Sequence, residues 1–162
     1  MTLPVNFDHN EIVILIGLIA SFIIVCWLPK RFSLSFSVLV FLFATTIARL
    51  SDHLISGSIV DLYDVMDSGK YEIFDLLTYI YYGPFAYFFI YVYDKFNIKG
   101  LRTVLYIIVC TVLATLFEGF HVFMEVFQYK GWHLWYSFSF YLIIQPITLI
   151  FYHFLKRLYD KR

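Results

Sequence analysis

Thr111 to Trp135 reads TVLATLFEGFHVFMEVFQYKGWHLW, and how this stretch is read decides the fold. It begins as an apolar helix of bilayer-crossing character and then carries Glu118, His121 and Glu125. At about 100° per residue these three fall within roughly 60° of one another, one polar stripe on an otherwise apolar helix. Ionisable groups inside a membrane span are costly and mark a partner or a purpose.

The rest of the chain supports a membrane setting. Of 162 residues, 61% are hydrophobic and 15% charged, too little polar surface for a soluble domain. Net charge is zero and the 12 Lys and Arg form no basic stripe, so nucleic acid is excluded as a partner. Cys26 and Cys110 both fall in apolar segments and are expected to behave as small buried side chains, not as a disulfide framework. The first segment reads as a retained helix, because Asp8 and Glu11 stand where a secretory signal needs cations. Aromatic residues make up 22%, more than interfacial belts require, and the surplus is expected to fill space between helices.

Hydropathy places five spans in one domain of residues 1–162, at about 12–28, 32–49, 71–93, 101–127 and 133–155. The fold class is thus all-α, an integral membrane helical bundle. Pro29-Lys30-Arg31 ends the first span, and its closeness to the second predicts a tight helical hairpin. Residues 51–70 mix Asp52, Asp61, Asp64 and Asp67 with Ile55, Ile59, Leu62, Tyr63 and Met66, a pattern suited to a short interfacial helix. Glu72 and Asp75 suit the first turn of span three, whereas Pro84 and Pro146 predict breaks midway along spans three and five.

Nine of the 12 cations fall after spans one and three or at the C-terminus; Arg49, Lys70 and Lys130 do not. The positive-inside rule then puts the N-terminus outside and the C-terminus in the cytoplasm of a bacterial plasma membrane. In that orientation Glu118, His121, Glu125, Arg49, Asp52, His53, Asp75 and His133 gather toward the outer face, with Gln145 beside the Pro146 break. They are expected to line an outward-facing pocket.

Several functions fit such a pocket. Glu118-x-x-His121 has the carboxylate–imidazole spacing of di-metal bundles, so a divalent metal on Glu118, His121 and Glu125, completed by His53 and His133, is one reading. Binding or transport of a small polar ligand or ion is the favoured one, since a carboxylate facing two proline-broken helices is the way secondary transporters build their sites. A lipid-acting enzyme would use Arg49 for a phosphate and a histidine as base, but no nucleophile or phosphatase signature supports it, and the chain reads as a non-enzyme. The alternative without a ligand is a structural or accessory subunit, in which Glu118 bonds His121 or Gln145 across helices and the partners are lipid, a second copy or another membrane protein. Trp132, Trp135 and Tyr136 read as an interfacial belt, and the basic C-terminal tail as a contact for anionic lipid.

The segment EGFHVFMEVFQYKGWHLWYSFSFYLIIQP resembles a group of small polytopic membrane proteins of low-GC Gram-positive bacteria. The pattern is a late-helix glutamate and histidine, a Gly-Trp turn, an aromatic run and a proline-containing last helix. Here these are Glu118, His121, Gly131, Trp132, Trp135, Tyr136, Ser137 and Pro146. The likeness covers about the last 45 residues and implies topology but no activity.

Overall fold

Asp8 starts the first helix. Its side chain accepts the Asn10 backbone N–H at 3.3 Å, while its own N–H donates to Glu11 Oε2 at 2.9 Å, a reciprocal capping box. Helix α1 therefore spans His9–Trp27, earlier than hydropathy suggests, and buries Asn10 and Glu11. The computed structural model describes residues 7–57, 60–66 and 72–159. Four further helices follow: α2 (Leu34–Ile55), α3 (Ile73–Lys95), α4 (Leu101–Phe123) and α5 (Leu134–Tyr159). Each of the five is long and apolar enough to cross a membrane.

Four expectations are corrected. The segment after Ile55 forms no interfacial helix among the described residues; Tyr63–Val65 is a strand, β1, paired antiparallel with a second strand, β2 (Phe127–Tyr129). Tyr63 faces Tyr129, Asp64 faces Gln128 and Val65 faces Phe127. Ring and branched side chains on alternate positions suit a half-buried strand, and the pattern at 127–129 is its complement. Ile59, Asp67 and Lys70 lie outside the described residues.

Helix α4 stops at Phe123 rather than 127, because the chain closes a Schellman motif there. The Val126 N–H donates to the His121 carbonyl at 2.9 Å and the Glu125 N–H to the Val122 carbonyl at 3.1 Å. Glu125 occupies the left-handed position, with φ of 58°. The C-terminus of α3 closes the same way around Asn97, φ 48°, with Ile98 donating to the Tyr93 carbonyl.

Neither proline breaks its helix: α3 runs through Pro84 and α5 through Pro146. The expected α1–α2 hairpin is also replaced, since both helices pack chiefly on α3 instead of on each other. Close approach makes this feasible. A Cβ at Gly83 would meet Phe41 at 2.6 Å, and one at Gly17 would meet the Tyr81 ring at 2.7 Å. Helices α1, α3 and α2 thus form one group with α3 central, and α4 packs against α5 as a second group. Aromatic rings from α3 and α4 fill the space between them, with Phe85 against Phe117 at 5.0 Å and Phe89 against Tyr106 at 5.1 Å.

The two ends differ in charge. Arg31, Tyr152 and Lys156 all converge on Asp94, with Lys156 Nζ 2.5 Å from Oδ1, so the α1–α2 connection and the ends of α3 and α5 share one basic end. The other described carboxylates lie toward the sheet end. This grouping of cations is what the charge bias of the sequence anticipates.

Candidate functional site

The polar side chains of the sheet end are built around two carboxylates on different helix groups. Asp52, in the last turn of α2, accepts the Tyr79 hydroxyl at 2.6 Å and the Ser56 hydroxyl at 2.8 Å. Arg49, one turn earlier, reaches Asp52 at 3.5 Å and lies over the Tyr79 ring at 5.5 Å. Asp75 stands beside this group, where its Oδ2 accepts the Glu72 N–H at 2.9 Å as half of the capping box that starts α3. The carboxylate at the helix start complements the free N–H groups and the positive end of the dipole.

Glu118, on α4, is held differently. Its Oε1 accepts the hydroxyls of Tyr129 and Ser137, the latter at 2.5 Å, and its Oε2 accepts the Tyr141 hydroxyl at 2.6 Å. Trp132 Nε1 donates to Ser137 Oγ at 2.7 Å, extending the network to the turn before α5. Among the described residues no Lys, Arg or His comes within ion-pair distance of Glu118. It is an acceptor ringed by hydroxyl hydrogens and lacks a counter-cation among the described residues.

Tyrosines lie beside both carboxylates. Tyr63 stands near Asp52, and Tyr82 near Tyr141, which donates to Glu118. Directly opposed residues of an antiparallel pair project from the same face. Tyr63 and Tyr129 are such a pair, and they reach Asp52 on one helix group and Glu118 on the other. The small sheet is therefore a strap across the gap between the groups. Burial together with the neighbouring Asp52 pushes the Tyr63 hydroxyl well above its ordinary pKa, and burial with Glu118 does the same to Tyr129. Lys130, bonded to Asp61 at 2.8 Å and Asp64 at 3.0 Å, is raised by those partners and pins the strap's outer edge.

Tyr82 on α3 and Tyr141 on α5 are partly accessible and stand near Glu118 on α4, where α3 faces the α4–α5 pair.

The sequence-derived candidates divide accordingly. Arg49, Asp52 and Asp75 are brought together, whereas Glu118 stands in its own hydroxyl cluster on the other helix group. His121 turns away from Glu118: it is buried, packs on Phe117 and Tyr81 at 4.3 and 5.8 Å, and places Nδ1 2.8 Å from the Phe117 carbonyl. A carbonyl only accepts, so Nδ1 carries the hydrogen and Nε2 is left as an acceptor without a hydrogen-bond partner. Glu125, displaced from the helix by the Schellman turn, pairs with His9 at 3.5 Å on the surface. His53 and His133 are exposed. Gln145 accepts the Thr111 hydroxyl at 3.3 Å, joining α4 and α5 below Glu118.

The one-stripe expectation for Glu118, His121 and Glu125 is thus corrected. Among the described residues no group of three or more His, Cys, Asp or Glu is placed to hold a metal ion. Sequence reasoning missed Tyr63, Tyr79, Tyr82, Tyr129 and Tyr141, which supply most of the network. Fourteen tyrosines in an apolar chain were the available signal. Trp132, read as interfacial, instead turns its N–H inward, whereas Trp135 is 78% exposed as a belt residue would be. Comparison of the chain with family models, with curated proteins and with solved structures finds no match.

Proposed function

We propose that this chain is a multi-pass protein of a bacterial plasma membrane, basic end in the cytoplasm, that binds or transports a small polar ligand or ion at an outward-facing site around Glu118. The observation that carries this reading is a carboxylate ringed by Tyr129, Ser137 and Tyr141 hydroxyls, without a cationic partner among the described residues, beside a tyrosine that keeps accessible surface. An acceptor cluster of this kind is costly to place between apolar helices and is repaid when a ligand uses it. Charge asymmetry supports the orientation, because Arg31, Lys95, Lys99, Arg102, Lys156 and Arg157 sit on connections or helix ends of one side.

A second reading, a scaffold or accessory subunit, draws on the saturation of both Glu118 oxygens, which ties α4, β2 and α5 together. Accessibility from water separates the two. With Cys26 and Cys110 replaced by serine, Tyr141→Cys in liposome-reconstituted protein should react with a small water-soluble methanethiosulfonate, whereas Ile150→Cys on the apolar surface should not. An inert Tyr141→Cys would refute the ligand site and leave the scaffold reading standing.

A further inference from the structure

We infer that the basic end of the bundle is a docking surface for anionic phospholipid, whose headgroups pair with Lys30, Lys99, Arg102 and Arg157; this rests on the reading of the chain as a multi-pass membrane protein. The surface is assembled by contacts between distant segments. Arg31, from the α1–α2 connection, and Tyr152 and Lys156, from α5, converge on Asp94 at the end of α3. One residue earlier, the Tyr93 hydroxyl stands 3.3 Å from Thr103 Oγ1 in the first turn of α4 and 3.5 Å from His153 Nε2 on α5. These contacts draw both connections and the last turns of α5 around one point, and the cations beside them are gathered with them.

Charge balance sets the partner. Asp94 is the one described carboxylate at this end, and Arg31 and Lys156 already match it. Lys95 lies over the Tyr91 and Phe96 rings at 5.9 and 5.8 Å. Lys30, Lys99, Arg102 and Arg157 are exposed and form no ion pair among the described residues. The rest of the sequence does not redress the surplus, because the residues outside the described ones carry Asp67 and Asp160 against Lys70, Lys161 and Arg162. A zwitterionic headgroup brings its own ammonium and neutralises none of the surplus, whereas an anionic phosphodiester does. Arg102 and Arg157 suit it further, since a guanidinium fork pairs with two phosphate oxygens at once.

Apolar side chains at the same level favour a lipid over a soluble acidic partner. Trp27 is 85% exposed and Leu101 84%, with Leu34 and Phe96 exposed at the neighbouring helix ends. Along the two connections these side chains alternate with the cations, Trp27 with Lys30, Phe96 with Lys99 and Leu101 with Arg102. A leaflet surface satisfies both kinds, offering acyl chain to the apolar group and phosphate to the cation. An acidic polypeptide in water would satisfy only the second.

The test reconstitutes the full chain in vesicles of phosphatidylcholine and phosphatidylglycerol at equal mole fractions, with bromine near the headgroup of one lipid or of the other. Trp132→Phe with Trp135→Phe leaves Trp27 to report the basic end; Trp27→Phe with Trp132→Phe leaves Trp135 to report the sheet end. Both leaflets have the same composition, so the direction of insertion does not matter. Quenching of Trp27 should be roughly two- to fivefold stronger with brominated phosphatidylglycerol, fivefold being the contribution of about one cation at a leaflet surface. Trp135, at the end that holds the other described carboxylates, should show no such preference. Lys30→Gln, Lys99→Gln, Arg102→Gln and Arg157→Gln together should abolish the preference at Trp27. Should Trp132→Phe lose its helical circular dichroism, the difference between wild type and Trp27→Phe supplies the same comparison. Equal quenching of Trp27 by the two lipids, or a preference that survives the four substitutions, would overturn the lipid surface and leave the membrane reading intact. If polyglutamate then binds the parent protein and not the substituted one, the face belongs to an acidic polypeptide. Quenching of Trp27 by neither lipid would overturn the surface and, with it, the placement of this end in a bilayer.

Discussion

If the β1–β2 strap is held between the helix groups by its paired tyrosines, removing one hydroxyl should loosen the strap before it loosens the bundle. Tyr129→Phe deletes the O–H donated to Glu118 and leaves Ser137 and Tyr141 on the same carboxylate. A hydrogen bond to a charged group contributes about 1.5–3 kcal/mol, and the two remaining donors prevent an uncompensated buried anion, so the cost belongs near the lower bound. At about 1.4 kcal/mol per decade, local opening of the strap should become roughly 10-fold more frequent.

Hydrogen exchange followed by mass spectrometry reads this directly. The reporting amides are Met66, bonded to the Val126 carbonyl at 2.9 Å, and Lys130, Gly131 and Trp132, which all donate to the Leu62 carbonyl at 2.9–3.1 Å. Amides of α3 should be unaffected. Tyr63→Phe should produce a similar acceleration, and the double variant should fall short of the product of the singles by a coupling of about 0.5–1 kcal/mol, because either tyrosine alone leaves the strap half-released. Tyr136→Phe, half exposed at the start of α5, is the neutral control. Uniform acceleration across all helices, or strict additivity of Tyr63→Phe and Tyr129→Phe, would refute the strap as a unit that bridges the helix groups.

Two further outcomes are expected. Glu125→Gly relieves a left-handed residue at the Schellman position, where a side chain costs about 1–2 kcal/mol and glycine's extra chain entropy returns part of it. The exposed His9 pair that is lost contributes little, so a net gain of roughly 0.5–1 kcal/mol should appear as a rise of about 1–4 °C in Tm; a fall would refute the turn assignment. Tyr63 and Tyr129 have folded-state pKa values raised above the unfolded value, so they favour the fold fully below about pH 10 and lose that contribution as pH rises beyond it. In an alkaline titration at 295 nm, two fewer tyrosines should ionise near pH 10 in wild type than in unfolded protein, after correction for the helix-buried ones with single Tyr→Phe variants. Ionisation of Tyr63 or Tyr129 near pH 10 while circular dichroism is still native would contradict their burial.

The residues differ in how much of their role was legible without coordinates. Asp8 with Glu11 and Glu72 with Asp75 have capping spacing, a local property, and the structure uses both pairs as caps. Glu118 was singled out because its charge stands out in an apolar helix. Its partners were not legible, because tyrosine is equally at home in a belt, a core or a hydrogen-bond network, and which one depends on where its hydroxyl ends. Glu125 misled because the helical stripe assumes that the helix continues; a turn with a glutamate in place of the usual glycine gives no compositional warning.

Composition and hydropathy by themselves determined that five apolar helices would form, and the spacing of Lys and Arg determined that the cations would collect at one end, because both depend on each segment's transfer from water and not on its neighbours. Only the tertiary structure decided that α3 is the hub, that Tyr63 meets Tyr129 across 66 positions of chain, and that Asp52 and Glu118 each take tyrosine hydroxyls as partners. Those pairings arise from packing shapes and hydrogen-bond directions between elements distant in sequence, which no local pattern of residues encodes.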